Sequence, residues 1–256
     1  MSSAKQSAIW DLRLRQILLP KLDHEASECE DVIAIDTDSC RFAVADGATE
    51  AFDARTWAER LAQNWVRNES ALTRDEFRDW VAAEGRELHD SWSGLSLSWY
   101  SEEKARTGSF AAFVGVEIEL ESETPSWHAI ALGDACLMHS RHGKLLKSFP
   151  LSRSDKFNTA PVLVASNSWM HEGTMESVVI ESGDCKAGDV LLLMSDAAAS
   201  WCLQGFERNN PQPIDLLTAN QDGEIQQFFN EERLAGRIRN DDIAVIRIEI
   251  IQRRIG

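Results

Sequence analysis

The order of the short apolar runs in this chain constrains its fold most strongly. Residues 31–35 and 41–45 are separated by only five residues, with a turn at residues 36–39, and three more β-like runs lie between Gly108 and about Ser148. Strands joined by short turns pair antiparallel, whereas parallel strands need long helical crossovers. The sequence therefore predicts an α+β protein built on antiparallel sheets, and not a doubly wound parallel sheet.

Two helices are predicted between the second and third of these runs. Residues 54–68 carry Trp57, Leu61 and Trp65 at spacings of four, which is the period of one helix face. A second helix is predicted over residues 73–92, where Thr73 and Glu76 form a capping-box pattern. Both segments are amphipathic, so we expect them to cover a sheet.

The rest of the chain continues the alternation of strands and helices. Strands are predicted at residues 177–182 and 189–195, a mainly helical part runs from Ala197 to about Ala235, and a last strand covers residues 243–251. A β-sandwich flanked by helices accounts for this order. No Gly/Ser/Pro-rich linker divides the chain, so we expect residues 1–256 to form a single domain.

The net charge and the cysteines narrow the partners and the compartment. A protein with a formal charge of −16 repels nucleic acid and anionic membrane surfaces, so we expect neither of them as a partner. The five cysteines form no C-x-x-C pair and their number is odd, which argues against a disulfide framework or a zinc site and favours a reducing compartment. The sequence shows no signal-peptide pattern and no apolar stretch of roughly 20 residues, so we expect a cytoplasmic protein.

Short acidic stretches mark the ends of four apolar runs. They are Glu30-Asp31, Asp46-Gly47, Ser195-Asp196 and Asp241-Asp242. Carboxylates at strand ends can converge, and they would then repel each other unless a hard divalent cation neutralises them. The pattern predicts a magnesium or manganese site, which in proteins most often handles phosphate esters. Taken singly, Asp46 and Asp196 are equally compatible with ordinary turns.

Five segments, taken together, resemble a known family. They read EDVIAI…FAVADG, TGSFAAFVGVEI, HAIALGDACLMHSRHGKL, GDVLLLMSDA and RNDDIAVIRI. In this order they are similar to the successive motifs of the metal-dependent protein phosphatases of type 2C (the PPM family), and they cover roughly residues 28–250. The resemblance implies a divergent, bacterial-style member. The implied fold has four α-β-β-α layers, two antiparallel sheets flanked by helices, with a two-metal site at one end.

The resemblance also implies the ligands of two Mn²⁺ or Mg²⁺ ions and of a third, weaker ion. Asp46 would bridge the two ions, and the carbonyl of Gly47 would bind one of them, which suits a residue with no side chain. The other implied ligands are Asp196 and Asp241 on one metal, Glu30 and Asp31 on bound waters or the second metal, and Asp134 on the third ion. As a residue of the Gly133-Asp134 turn, Asp134 is also compatible with a purely structural role.

The implied mechanism needs no protein nucleophile. Two divalent cations about 4 Å apart lower the pKa of a bridging water, and the hydroxide attacks phosphorus in line. The expected function is hydrolysis of phosphoserine or phosphothreonine in proteins, opposing a cognate Ser/Thr kinase in a signalling pair. Two alternatives stay open: a catalytically weak phosphatase-like module that binds phosphoproteins or regulates, and a metal phosphoesterase acting on small molecules.

The chain departs from the family pattern around the expected site. The family commonly has an arginine a few residues before the Glu-Asp pair, and residues 24–29 contain none. Replacements close in sequence are Arg13, Arg15 and His24. Other departures are Glu50 and Ala197 near positions that are usually glycine, and Asp242 where the family usually has asparagine. Arg153 and Lys156 lie in the variable insert and are the candidate substrate contacts.

Overall fold

Two antiparallel sheets pack face to face in the computed structural model, which describes residues 9–67, 73–157, 160–210 and 222–253. The first sheet has the strand order β1-β11-β10-β6-β7, and the second has the order β2-β3-β4-β5-β9 with β8 paired to β4. Helices cover the outer face of each sheet. This arrangement confirms the predicted α+β sandwich with flanking helices.

The strands follow the predicted order with small shifts at their ends. The first sheet consists of β1 (Ile9–Leu19), β6 (Cys136–Arg141), β7 (Lys144–Phe149), β10 (Asp189–Met194) and β11 (Ile243–Arg253). The second consists of β2 (Asp31–Asp36), β3 (Arg41–Gly47), β4 (Phe110–Glu119), β5 (Ser126–Leu132), β8 (Val164–Ala165) and β9 (Val179–Asp184).

The helices lie in the predicted regions, with two additions. They are α1 (Ala54–Arg67), α2 (Arg74–Trp92), α3 (Trp99–Thr107), the single turn α4 (His171–Thr174), α5 (Asp196–Glu207) and α6 (Asp222–Leu234). The capping box of α2 is present, since the Thr73 hydroxyl accepts a hydrogen bond from the backbone N–H of Glu76. Part of the helical region predicted after Ala197, residues 211–221, lies outside the described residues.

Strands buried on both faces explain the long apolar runs. In β4, Ala111 and Phe113 face the core beneath α1 and α2, whereas Val114 and Val116 face the core between the sheets. Successive side chains of a strand point to opposite faces, so a central strand of a four-layer sandwich must be apolar at almost every position. The uninterrupted apolar runs are therefore the sequence signature of the helix layers.

Helix α1 lies very close to the second sheet. Trp57, Leu61 and Trp65, which share the predicted apolar face, are all buried. A Cβ atom placed on Gly115 of β4 would lie 2.4 Å from the Trp65 ring, so a glycine is needed where the helix crosses the strand. This contact fixes α1, and with it the turn that follows Gly47, against the sheet.

Four elements were not predicted from the sequence: β1, α3, the short strand β8 and the single turn α4. Strand β1 pairs along its whole length with β11, from Ile9 opposite Arg253 to Leu19 opposite Ile243. Its charged residues alternate with apolar ones, the pattern of a half-buried strand, but its partner is more than two hundred residues away. Helix α3 has no buried residue, so it lacks the apolar stripe from which a helix is recognised.

The structure shows the state of the cysteines and the length and polarity of the helices. Among the described residues all five cysteines are free thiols, four of them buried. Burial raises the pKa of Cys202 to about 12, so this thiol is protonated and packs as a small apolar group. No described helix has both the length and the apolar character needed to cross a bilayer.

Candidate metal centre

The acidic residues predicted from the sequence come together at one end of the sandwich. Asp31 begins β2 and lies directly opposite Asp46 of β3. Asp134 lies in the turn between β5 and β6, Asp196 is the first residue of α5 after β10, and Asp241 lies just before β11. Both sheets therefore contribute carboxylates to one site.

The carboxylates are close enough to share a cation. One oxygen from each of Asp46, Asp134 and Asp196 lies within 4.8 Å of the other two. Asp31 is only 4% exposed and accepts a hydrogen bond from the Ser195 hydroxyl. Its Oδ2 atom has no hydrogen-bond donor among the described residues. A buried carboxylate oxygen without a partner is costly and indicates a missing positive group.

Burial and mutual repulsion perturb these carboxyl groups strongly. Burial raises the pKa of Asp31 and of Asp46 well above the ordinary range, and the neighbouring carboxylates raise both further. Burial, with the charge of Asp196 next to it, raises the pKa of Asp134 to about 7. Burial also raises the pKa of Asp196, although the Arg239 guanidinium acts in the opposite direction. Without cations, the protein holds these groups in ionised form only at a cost.

Two cationic side chains enter the cluster. Arg239 donates from Nη2 to Asp196 Oδ2 and lies 2.9 Å from Asp241 Oδ2. The Nζ atom of Lys21 lies 3.2 Å from Asp241 Oδ1 and donates to the Thr49 hydroxyl, also at 3.2 Å. Burial alone would lower the pKa of Lys21, but the Asp241 carboxylate raises it overall. Both side chains are therefore charged and partly neutralise the acidic residues.

Asp242 has a different environment from Asp241. Its two carboxylate oxygens accept hydrogen bonds from the backbone N–H groups of Lys21, at 2.8 Å, and Glu30, at 2.9 Å. The backbone carbonyl of Asp241 accepts a hydrogen bond from the buried Arg233 at 2.6 Å. Asp242 thus clamps the segment before β2, and Arg233 holds the chain that presents Asp241.

Gly47 lies where no side chain fits. A Cβ atom there would be 2.9 Å from the Ala54 carbonyl oxygen and 3.1 Å from that of Glu30. The Gly47 N–H donates to the same Glu30 carbonyl at 3.3 Å. The end of β3, the start of α1 and the residue before Asp31 are therefore packed together. The Glu30 side chain is half-buried beside them.

The two candidate substrate contacts differ in position. Lys156 lines a cavity of about 300 Å³ whose wall also includes Asp134, Pro150 and Val162. Arg153 is exposed and forms a bidentate ion pair with Asp155, at 3.0 and 2.5 Å. The structure thus brings Lys156 to a cavity that borders the cluster, whereas Arg153 pairs with Asp155 in its own turn.

The composition of the cluster fits a hard divalent cation. All its candidate ligand atoms are carboxylate oxygens, the donors that Mg²⁺ and Mn²⁺ prefer, with no imidazole or thiolate of the zinc and copper type. The carboxylates outnumber the cationic side chains around them, which are Lys21, Arg233 and Arg239. The unpartnered oxygen of Asp31 and the raised pKa values both call for additional positive charge.

A second group of potential ligands, at the other end of β10, does not fit a metal. His139, Cys185 and Asp189 also have ligand atoms within 4.8 Å of one another. However, the Trp127 indole donates to His139 Nδ1 at 3.3 Å, and His139 Nε2 lies 2.9 Å from Asp189. Both oxygens of Asp189 also accept from Arg141, each at 2.7 Å. The imidazole of His139 and the carboxylate of Asp189 therefore already have their partners, so the group is a buried structural network.

Sequence reasoning missed the two cations that reach the carboxylates. Of the replacements suggested for the absent arginine, Arg13 lies in the middle of β1 and pairs with Glu249 at 3.3 Å, and His24 lies 3.9 Å from Glu28. The structure places Lys21 and Arg239 at the cluster instead. Arg239 is only two residues before Asp241, and this proximity is the signal that could have identified it.

No protein-family profile and no curated protein sequence matches the chain. Several solved structures do match it. One match is PppA, a key regulatory component of the T6SS in Pseudomonas aeruginosa, with a TM-score of 0.61, 15% identity, and coverage of 95% of this chain and 100% of that chain. Another is the catalytic domain of the serine/threonine protein phosphatase PstP with two manganese ions, with a TM-score of 0.62, 15% identity, and coverage of 94% and 99%.

A third match is the S. agalactiae serine/threonine phosphatase, with a TM-score of 0.55, 14% identity, and coverage of 93% of this chain and 99% of that chain. At such low identity, likeness establishes the fold and not the chemistry. The chain has the fold of the type 2C serine/threonine phosphatases, as the motifs of its sequence predict.

Proposed function

We propose that this chain is a divergent, bacterial-style phosphatase of type 2C. It hydrolyses phosphoserine or phosphothreonine in proteins with the help of two Mn²⁺ or Mg²⁺ ions. Its partners are a phosphorylated protein and the Ser/Thr kinase that it opposes, in the cytoplasm. Residues 1–256 form one phosphatase domain in this proposal.

One observation carries the proposal: Asp46, Asp134 and Asp196 have carboxylate oxygens within 4.8 Å of one another at one end of a phosphatase-type sandwich. Three acidic groups brought together by separate elements are electrostatically unfavourable, as their raised pKa values indicate. Such an arrangement destabilises the fold unless cations bind there. The manganese-bound structure of PstP, which has the same fold, supports this interpretation.

The proposed roles follow the position of each residue. Asp46, whose carboxylate lies within 4.8 Å of those of Asp134 and Asp196, would be shared by two ions, and the Gly47 carbonyl would bind one of them. The remaining proposed ligands are Asp196 and Asp241 for one ion, Glu30 and Asp31 for the other or for its waters, and Asp134 for a third, weaker ion. Asp242 is a structural clamp, because both of its oxygens are used by backbone N–H groups.

The chain itself supplies binding and orientation. Bound metal ions would activate a water molecule and neutralise the phosphoryl oxygens, which lets an acidic protein accept an anionic ester. Asp46 and Asp196 would hold the ions, and the buried Asp31 would hold the second ion or its waters. Lys156, on the cavity that also contains Asp134, offers a positive charge to the incoming substrate. Arg153 is a second candidate contact in the same insert.

Manganese-dependent hydrolysis tests this function. We expect the purified protein to cleave p-nitrophenyl phosphate and phosphoserine or phosphothreonine peptides when Mn²⁺ is added. Asp46→Asn should lower the rate by roughly a hundredfold or more, because it removes a shared ligand. Asp79→Asn, at an exposed position of α2, is the matched control and should not change the rate. Lack of activity with Mn²⁺, together with an unchanged Asp46→Asn variant, would refute the enzyme proposal.

A regulatory module is the second candidate function. It is favoured by the guanidinium of Arg239, which pairs with both Asp196 and Asp241, and by the likeness to PppA, a regulatory component of the T6SS. Such a module would bind phosphopeptides in the presence of Mn²⁺ without hydrolysing them. Turnover of small phosphate esters but not of phosphopeptides would instead indicate a metabolic phosphoesterase.

A further inference from the structure

The cations at the metal centre lie on flexible stems in front of the carboxylates. Arg239 contacts Asp196 and Asp241, and Lys21 contacts Asp241 from the other side. The Arg239 side chain is 49% exposed, so it approaches the cluster from solvent and not from the core. A guanidinium in this position can leave without opening the fold.

Metal ions and these side chains compete for the same oxygens. Asp196 and Asp241 cannot present their full charge to a divalent ion while Arg239 is bound to them. A divalent ion placed a few ångströms from a guanidinium also repels it. A bound metal ion would therefore displace Arg239 from Asp196 and Asp241, and it would weaken the contact between Lys21 and Asp241.

The displaced side chains stay beside the site because their backbones are fixed. The Asp241 N–H donates to the Arg239 carbonyl at 2.9 Å, and the Lys21 N–H donates to Asp242 at 2.8 Å. A freed guanidinium at this place faces the end of the sandwich where the ester must bind. Guanidinium groups bind phosphate oxygens in a bidentate manner, which a lysine cannot do.

We propose that Arg239, assisted by Lys21, is the phosphate-binding side chain of this protein, and that its pairing with Asp196 and Asp241 is the metal-free arrangement. The inference rests on the proposed function. It replaces the arginine that is absent before Glu30 with one that reaches the site from the opposite end of the chain.

The proposal predicts that Arg239→Ala strengthens the binding of Mn²⁺ and weakens the binding of phosphate. Arg239→Ala removes a competitor of the metal, so we expect Mn²⁺ to bind roughly two- to fivefold more tightly, the range of an exposed ion pair. It also removes a charge-assisted bidentate contact, so we expect inorganic phosphate to bind the Mn²⁺-loaded protein on the order of ten- to a hundredfold more weakly. A merely structural arginine would weaken both interactions when removed.

Isothermal titration calorimetry measures both constants without relying on turnover. Mn²⁺ is titrated into the wild type, Arg239→Ala, Arg239→Lys and Lys21→Met, and inorganic phosphate is then titrated into each loaded protein. Arg237→Ala is the matched control, because this arginine of the same segment pairs with Glu232 instead, at 2.7 Å. We expect it to behave as the wild type, and Arg239→Lys to lose most of the phosphate affinity.

The outcomes separate this inference from the proposed function. If the wild type binds Mn²⁺ and hydrolyses esters but Arg239→Ala matches Arg237→Ala in both titrations, the role of Arg239 is refuted and the function stands. Weaker binding of both Mn²⁺ and phosphate by Arg239→Ala also refutes it. A wild type that binds no Mn²⁺ refutes the proposed function and this inference together.

Discussion

Asp134 offers a quantitative test of the electrostatics of the metal centre. Burial and the charge of Asp196 raise the pKa of its carboxyl to about 7, from an ordinary value of 3.8. The native protein therefore keeps a proton on Asp134 at pH values at which the unfolded chain has lost it. The stability that this proton provides is complete below about pH 4 and is lost as the pH rises to about 7.

The magnitude of this effect follows from the shift. A difference of about three pKa units is worth about 4 kcal/mol at 1.36 kcal/mol per unit. Ionisation of the buried Asp134 carboxyl therefore lowers the free energy of unfolding by about 2 kcal/mol at pH 5 and by about 4 kcal/mol at pH 8. Asp134→Asn removes the charge at nearly constant volume. We expect this variant to be more stable than the metal-free wild type, with a gap that widens by about 2 kcal/mol from pH 5 to pH 8.

Urea unfolding with a chelator, at several pH values between 5 and 8, measures this gap. Asp79→Asn, whose carboxylate is exposed, is the matched control and should follow the wild type at every pH. Saturating Mn²⁺ should reduce the difference in stability between the variant and the wild type. A ligand at 100 times its Kd stabilises the native state by about 2.7 kcal/mol, and the wild type retains the Asp134 carboxylate with which to bind Mn²⁺. A gap that does not change with pH, or an Asp134→Asn variant that is less stable at pH 8, would contradict the reasoning.

Two further variants test the frame around the site. Gly47→Ala puts a Cβ 2.9 Å from the Ala54 carbonyl oxygen, so we expect a loss of about 1–3 kcal/mol in urea unfolding and weaker Mn²⁺ binding in calorimetry. If the stability and the Mn²⁺ affinity of this variant both equal those of the wild type, the backbone at position 47 accommodates the added Cβ and the reasoning is wrong. Asp189→Asn breaks the buried network with Arg141 and His139, so we expect a loss of about 3–5 kcal/mol at pH 7. Burial would raise the pKa of Asp189, but these partners outweigh it and lower the pKa. The loss of stability in the variant should therefore shrink as the pH falls below about 4. The control Asp184→Asn, at an exposed position, should change the stability little.

Local patterns in the sequence were enough to predict most of the layers. Strand β4 and helix α1 were recognisable because their partners impose apolar positions at a fixed period, of two or of about four residues. Strand β1 was not recognised, although its Trp10, Leu12 and Leu14 alternate with charged residues. Its pairing with β11 depends on a contact across nearly the whole chain, and no local rule specifies that partner.

The acidic cluster was predictable to the same extent as the strands that carry it. Asp46 and Asp196 could be identified because each ends an apolar run, and the ends of paired strands meet. Lys21 and Arg239 lie in irregular segments whose paths depend on tertiary hydrogen bonds, so the sequence signals Arg239 only by its position two residues before Asp241 and does not signal Lys21. The search for a replacement arginine near Glu30 in sequence failed for this reason, because a long side chain can reach the site from any segment that ends there.

The departure from the family pattern at position 242 has a physical explanation. An aspartate at position 242, in place of the usual asparagine, offers two acceptor oxygens, and these bind the N–H groups of Lys21 and Glu30. The first contact fixes the backbone of Lys21 so that its ammonium group lies 3.2 Å from Asp241. An asparagine has only one acceptor oxygen and could not hold both segments in this way. The aspartate adds a negative charge, but the segment that it holds brings the positive charge of Lys21 to Asp241.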